Sequence, residues 1–414
     1  MRRHLFAATL LFGGACLQVA AVPPVVLWYA PFLSGGGYSS EAHSYVKAIA
    51  SALNQPSRSA DHDAASSTAD QAVSSSASSA SNDGSAEQPE MEKPFVLRVT
   101  QHGDSMNPRF IDAMPEEMRE LMEEVLSVAL FQEDVFKAGG VRPEMIKIVP
   151  EAVDIQFFDP NAVEAPYDLA SEVDFELTDK TTVFLSIFKW ERRKGWQVLL
   201  EAYFKAFERG DDVVLVLLTN AYHEAFDSAG DFTQVIEKFT MSTLGKKLSE
   251  LPRVHVLPPH IPQDAMPSLY KAATAFVLPS RGEGWGRPHV EAMAMELPVI
   301  ATFWSGTTEY MTPENSYPLE INGLVEIPDG AFRGHRWADP SVEHLQKLLQ
   351  QVKLHPEEAI AKGKQARQDM LDKYSPEVIG ELIFDHITRI LALVRAQDKK
   401  EVDKDEAAVG HEEL

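Results

Sequence analysis

Thiol chemistry is nearly missing from this chain, whose 414 residues hold a single cysteine, Cys16. That residue lies in the apolar amino-terminal stretch. Gly13 stands three positions before it, where a lipidated cysteine requires an apolar residue. If the stretch is removed, the mature chain has no thiol. This excludes disulfides and a structural zinc cluster built on cysteine, and says nothing of the redox compartment. Basic residues are scarce as well: 38 Lys and Arg face 62 Asp and Glu, for a formal charge of −24. Such a balance repels nucleic acid and anionic lipid surfaces, so neither is an expected partner. There is no internal repeat, and beyond the first segment no second run is long enough to span a membrane.

What is present divides unevenly. Residues 1–21 carry Arg2 and Arg3, an apolar run from Leu5, and small residues at Val19 and Ala21. The pattern reads as a secretory signal peptide cleaved near Ala21, with a retained membrane anchor as the other reading. It places the chain in the secretory pathway, luminal or secreted. Residues 22–54 and 93–150 form a first domain, interrupted by a Ser, Ala and Asp-rich tract over 55–92 that has too little apolar bulk to fold. Residues 151–340 form a second domain, 341–396 are C-terminal helices, and 397–414 are an acidic tail expected to be disordered. An apolar content of 44% supports a core of this size.

In the second domain, continuous apolar runs alternate with helical segments. VVLVLL (213–218), RVHVLP (253–258), TAFVLPS (274–280) and PVIATF (298–303) read as strands, and DAMPSLYKAA (264–273) as a short helix. Fully apolar strands separated by helices predict an α/β fold with a parallel sheet covered on both faces. Ligands of such sheets bind at the carboxyl ends of the strands.

Two motifs fall at those ends. The first is RGEGWGRPHVE (281–291): a glycine turn, then a helix begun by Pro288, with Glu283 in the turn and Glu291 one turn into the helix. Unpaired N–H groups at that helix start seat a phosphate, and carboxylates beside them bind hydroxyls. The second is SIFKWERRKGWQVLLEAYFKAF (186–207), a strand end passing into an amphipathic helix. Trp196, Leu199, Leu200, Tyr203 and Phe207 share one face of that helix. Arg192 and Arg193 read as a solvated charge run.

Together the motifs resemble the donor site of retaining GT-B glycosyltransferases, the glycosyl transferases group 1 superfamily. Its signature is two glutamates separated by seven residues, as in Glu283 and Glu291. The resemblance implies two Rossmann-like domains and a nucleotide-diphosphate sugar as donor, with a hydroxyl acceptor on a glycan, lipid or protein. It implies that Glu283 contacts the transferred sugar and Glu291 the ribose, with Gly284, Trp285 and Gly286 completing the turn. Lys189 and Lys194 would clamp the two phosphates; Lys189 stands where the family more often has arginine, which keeps the charge but loses the planar fork. Main chain near Ile261 would hold the base. Ser305, Gly306, Thr307 and Glu309 resemble the family's Gly-Gly-x-x-Glu turn.

In the first domain the strand–loop–helix from Val25 resembles the family's acceptor side, with Gly36 and Gly37 in the loop near the donor phosphates. His102 stands where the family keeps a histidine near the reacting carbon; an ordinary loop histidine explains it equally well. The stretch MPEEMRELMEEVLSVALFQEDVFKAG (114–139) reads as continuous helix, so the strands expected there are absent. The first domain is then far shorter than the roughly 150 residues such a domain uses. Catalysis would rest on His102, Glu283 and Lys194. No ligand set for a metal is evident and no cofactor is expected, the lysines and helix dipole supplying the electrostatics. Two other readings stay open: a non-catalytic nucleotide-sugar-binding module, and a sugar-nucleotide epimerase on the same plan.

Overall fold

The computed structural model describes residues 25–30, 96–101, 125–127, 131, 133–134, 137, 143–221, 232–259, 261–328 and 333–409. The amino-terminal segment 1–21, the tract 55–92, Gly36, Gly37 and His102 lie outside the described residues.

Two short parallel pairs represent the first half: β1 (Val25–Ala30) with β2 (Val96–Gln101), and β3 (Val125–Ser127) with β4 (Ile146–Ile148). The β3 strand corrects the expectation of unbroken helix over 114–139. Val125 and Leu126 are stabilised by a partner some twenty residues further on, and helical periodicity in the local sequence cannot show a non-local partner.

The second half is one six-stranded parallel sheet. Its strands are β5 (Thr182–Trp190), β6 (Val213–Ala221), β7 (Arg253–Val256), β8 (Ala275–Leu278), β9 (Val299–Thr302) and β10 (Tyr317–Leu319), in the order β10-β9-β8-β5-β6-β7. Chain order therefore runs outward from β5 to one side, returns, and runs outward from β8 to the other. The reversal between β5 and β8 is the switch point at which doubly wound sheets open a crevice beyond their carboxyl ends.

The apolar runs explain the sheet's place in the core. Phe184 and Leu185 of β5, Val213–Leu217 of β6 and all of β8 are essentially inaccessible. Around the sheet lie α1 (Trp196–Ala206), α2 (Phe232–Leu244), α3 (Met266–Lys271), α4 (Arg287–Ala294), α5 (Val342–Leu354) and α6 (Pro356–Lys373). The predicted face of α1 is the buried one, with Leu199, Leu200 and Tyr203 at 0% exposure. Each such side chain contributes about 1.5–3 kcal/mol by leaving water. Tyr203 also donates its hydroxyl to the Arg253 carbonyl at 2.8 Å, which satisfies its one polar atom.

An antiparallel hairpin, β11 (Ile321–Glu326) with β12 (Arg336–Pro340), follows the sheet. The last helix, α7, runs over Pro376–Val409 and carries helix through 397–409, where a disordered tail was expected. The Lys, Glu and Ala residues of that stretch are strong helix formers, and low apolar content alone does not exclude a helix that continues from a packed one. Among the described residues, no helix is long and apolar enough to cross a membrane.

Candidate active site

Lys194 and Glu283 stand in the turns that follow the two strands flanking the switch point. After β5 the chain makes a single 3-10 turn, Arg192–Lys194, and enters α1 through Gly195 in the left-handed region, at φ 68°. A β-carbon on Gly195 would stand 1.9 Å from the Pro279 carbonyl oxygen, so only glycine lets this turn approach the end of β8. From the other side the Arg281 N–H donates to the Arg193 carbonyl at 2.6 Å. The two turns are thereby joined through main chain before any side chain is considered.

Across this junction the Lys194 Nζ donates to Glu283 Oε1 at 2.7 Å and to Oε2 at 2.9 Å. Arg193 donates to Glu283 Oε2 at 3.0 Å and to the Gly282 carbonyl at 2.8 Å, and its other terminal nitrogen donates to Glu191 at 2.6 Å. Arg193 thus differs from the solvated residue expected: its guanidinium bridges the two turns, because the turn before Gly195 aims it at the Gly282 carbonyl. Burial works to raise the Glu283 pKa, but the charges of Lys194 and Arg193 outweigh it and hold the carboxyl down to about 2.

The main chain of Glu283 is fixed too. Its N–H donates to Ser305 Oγ at 2.9 Å, and its carbonyl accepts from the Gly306 N–H at 3.0 Å. Ser305 has a φ of 69°, an uncommon value for a non-glycine residue, and strain of this kind concentrates at functional turns.

The next stretch carries the second glutamate. Gly286, at φ 104°, starts α4 and supplies no side-chain cap, so the first-turn amides of the helix have no side-chain acceptor. Pro288 sits in that first turn, as expected. Glu291 Oε2 accepts from the Tyr270 hydroxyl at 2.9 Å, and Glu291 Oε1 lies 3.7 Å from Arg287, which also pairs with the buried Glu151 at 3.3 Å. Burial pushes the Glu291 pKa up, opposed by Arg287 and by the Tyr270 hydrogen bond. Beneath the turn, the inaccessible His289 is pushed down to about 4 by burial, with Glu283 pulling the other way.

The remaining motif residues divide between surface and core. Lys189 is exposed at the end of β5, opposite Asn220 of β6. Ile261 is half-buried in the segment that follows β7 and packs on the core. The Trp285 indole is at 3% exposure, edge-on to Tyr310 and Tyr374. That corrects its place in the turn: its ring belongs to the core, and only its main chain can face a ligand. Among the described residues, no group of three His, Cys, Asp or Glu side chains is placed to hold a metal ion.

Residues 179–329, which contain both motifs, match the family described as glycosyl transferases group 1. This part of the chain is similar to group 1 glycosyltransferases. Among its relatives are D-inositol 3-phosphate glycosyltransferases. That of Corynebacterium glutamicum is 25% identical over 231 residues, covering 53% of each chain. That of Corynebacterium kroppenstedtii is 31% identical over 160 residues, or 38% of this chain and 33% of the relative. The chain spans about half the length of the curated relatives it matches, or less. A solved glycosyltransferase from Rickettsia africae superposes with a TM-score of 0.52 at 18% identity, over 72% of this chain and 71% of that one. Anabaena HepE, solved with UDP and glucose, gives 0.50 at 17%, over 64% and 63%. These likenesses show the GT-B fold.

Arg193, Tyr270, Glu151 and His289 were not legible as site residues. Tyr270 lies on a short helix and Glu151 in the segment after β4, with no motif of their own. Arg193 had one available signal, its position next to Lys194 before a glycine.

Proposed function

We propose that this chain is a glycosyltransferase that moves a hexose from a nucleotide-diphosphate sugar to a hydroxyl acceptor, with retention at the anomeric carbon. The observation that carries the reading is the meeting of Lys194 and Glu283, a cation and a hydroxyl-binding carboxylate, at the switch point between β5 and β8. The group 1 family uses nucleotide sugars, and the relative solved with UDP and glucose has the same fold.

In this reading the diphosphate lies over the uncapped first turn of α4, with Lys194 and Lys189 as its cations. Negative charge grows on the diphosphate as its bond to the anomeric carbon breaks. Fixed donors and cations there favour the transition state over the ground state. Glu291 takes the ribose hydroxyls, main chain at Ile261 the base, and Glu283 the hydroxyls of the sugar. His102 and the Gly36–Gly37 loop are proposed to face the sugar and acceptor from the first domain, in a secretory-pathway protein that needs no metal.

Thermal unfolding of the purified chain with UDP, GDP, ADP and their sugar conjugates tests the donor assignment. A ligand at about a hundred times its dissociation constant adds roughly 2.7 kcal/mol, a readily visible shift in midpoint. One nucleotide should raise the midpoint, and Lys194→Ala should abolish the rise. No shift with any nucleotide overturns the reading. A shift without transfer or donor hydrolysis would identify a binding module instead.

A further inference from the structure

The donor cleft holds more paired charge than a phosphate clamp needs. Glu191, Arg193, Glu283 and Lys194 form a continuous ladder, with contacts of 2.6, 3.0 and 2.7 Å in that order. The ladder's charges cancel. A diphosphate entering the cleft therefore cannot use Lys194 without competing against Glu283, whose side chain is only 7% exposed. A carboxylate so buried, left without a cation beside a doubly charged phosphate, would be expensive to keep.

Arg193 is placed to resolve this conflict. Its Nη1 already donates both to Glu283 Oε2 and to the Gly282 carbonyl, so it grips the carboxylate and the turn together. Its side chain is 39% exposed while that of Lys194 is 14% exposed, so the guanidinium lies on the outer side of the pair. Its main-chain carbonyl is held by Arg281, so the grip does not depend on the ligand.

We propose that Arg193 is a positioning residue for donor binding: it holds the Glu283 carboxylate in place while Lys194 turns from that carboxylate to a diphosphate. The inference rests on the reading of this cleft as a nucleotide-sugar site. The groups facing Glu283 are Lys194 and Arg193 from the turn after β5, His289 from α4, the Ser305 hydroxyl, and Tyr310 beyond the turn after β9. His289, held neutral by burial, cannot take over the charge, and Tyr310 carries none at neutral pH. With Arg193 removed, Glu283 has Lys194 as its one cation, and binding must strip it away. The carboxylate then takes up a proton as the nucleotide binds, and affinity falls as pH rises.

Isothermal titration of the full chain with UDP, GDP and ADP, in buffers of differing ionisation enthalpy at mildly acidic pH, reads this directly. The wild type should bind one nucleotide with no net proton uptake. Arg193→Ala should bind it about tenfold more weakly, within the ordinary range of coupled sites, and with proton uptake. Arg193→Lys keeps the charge and should restore proton-neutral binding while recovering only part of the affinity. Wild-type affinity in Arg193→Ala overturns the proposal. Equal weakening in both variants without proton uptake also overturns it, since that marks a merely structural residue. If the wild type binds no nucleotide, the reading of the cleft fails, and this inference falls with it. Lys194→Ala alone, binding nothing while the wild type binds, leaves the cleft reading standing.

Discussion

Lys194 reaches both carboxylate oxygens of Glu283, at 2.7 and 2.9 Å, and so ties the end of β5 to the end of β8 across the sheet's switch point. The pair is shielded: the side chains are 14% and 7% exposed. The same geometry that readies a cation for a ligand also stabilises the crevice while no ligand is bound.

The two partners should not be equivalent in stability. Lys194→Ala leaves Glu283 with Arg193, so the carboxylate keeps one cation and one charge-assisted hydrogen bond. Glu283→Gln instead leaves Lys194 and Arg193 facing each other with no anion between them. The glutamine variant should lose about 3 kcal/mol, as expected when one member of a buried pair is removed, and the alanine variant clearly less. Urea unfolding of both variants without ligand checks the order, and equal losses would contradict the bridging role of Arg193.

How much of this could be read beforehand follows from the reach of each signal. The strands β6, β8 and β9 are short apolar runs between turn residues, a local pattern, and each was found within a few residues. The spacing of Glu283 and Glu291 is local too. The sheet order is not in any one segment, although it places both motifs at one crevice. Arg193 looked solvated because an arginine's neighbours depend on where Gly282 lies, 89 residues away in sequence. Trp285 looked like a cleft residue because a glycine turn gives no sign of the Tyr310 and Tyr374 rings that enclose it. The strand β3 was missed for the same reason, since its partner is β4 and not its own neighbours.

Tyr270 should matter to Glu291 and to little else in the cleft. Tyr270→Phe removes the hydroxyl that donates to a buried carboxylate, and such a bond is worth about 1.5–3 kcal/mol. If Glu291 holds the ribose, the variant should bind the preferred nucleotide more weakly. Against the matching 2′-deoxy nucleotide its affinity should lie close to the wild type's. Comparing the four dissociation constants isolates that coupling, and an unchanged penalty with deoxyribose would detach Tyr270 from the ribose.

Gly195→Ala tests the close approach of the two turns. The left-handed φ of 68° alone costs a β-carbon about 1–2 kcal/mol. The added carbon would also meet the Pro279 carbonyl oxygen at 1.9 Å, a backbone atom that cannot swing aside. The expected result is loss of nucleotide binding and a marked drop in midpoint. Gly210→Ala, where nothing lies within 4 Å, serves as the control and should stay close to the wild type.

His289 gives the domain an acid sensitivity of calculable sign. Burial lowers its pKa to about 4, from an ordinary value near 6.5, so below 6.5 the unfolded chain takes up a proton that the folded chain refuses. Stability from this residue is complete above about pH 6.5 and falls as pH drops toward 4, by on the order of 3 kcal/mol. Glu283 acts lower down. Its depressed pKa gives stability that is present above the ordinary carboxylate range and lost as pH falls through that range toward 2. The two windows are therefore separable. In His289→Leu the unfolding midpoint should decline less steeply between pH 6.5 and 4 than the wild type's, with His255 and His386, both lowered by burial, still contributing, and then drop as Glu283 titrates. The neutral-pH midpoint of the variant is itself expected to fall, because the ring packs edge-on against Phe276 and fills space beneath Gly286. The slope with pH is the quantity that tests the assignment. A variant whose midpoint declines between pH 6.5 and 4 as steeply as the wild type's would place the acid sensitivity elsewhere.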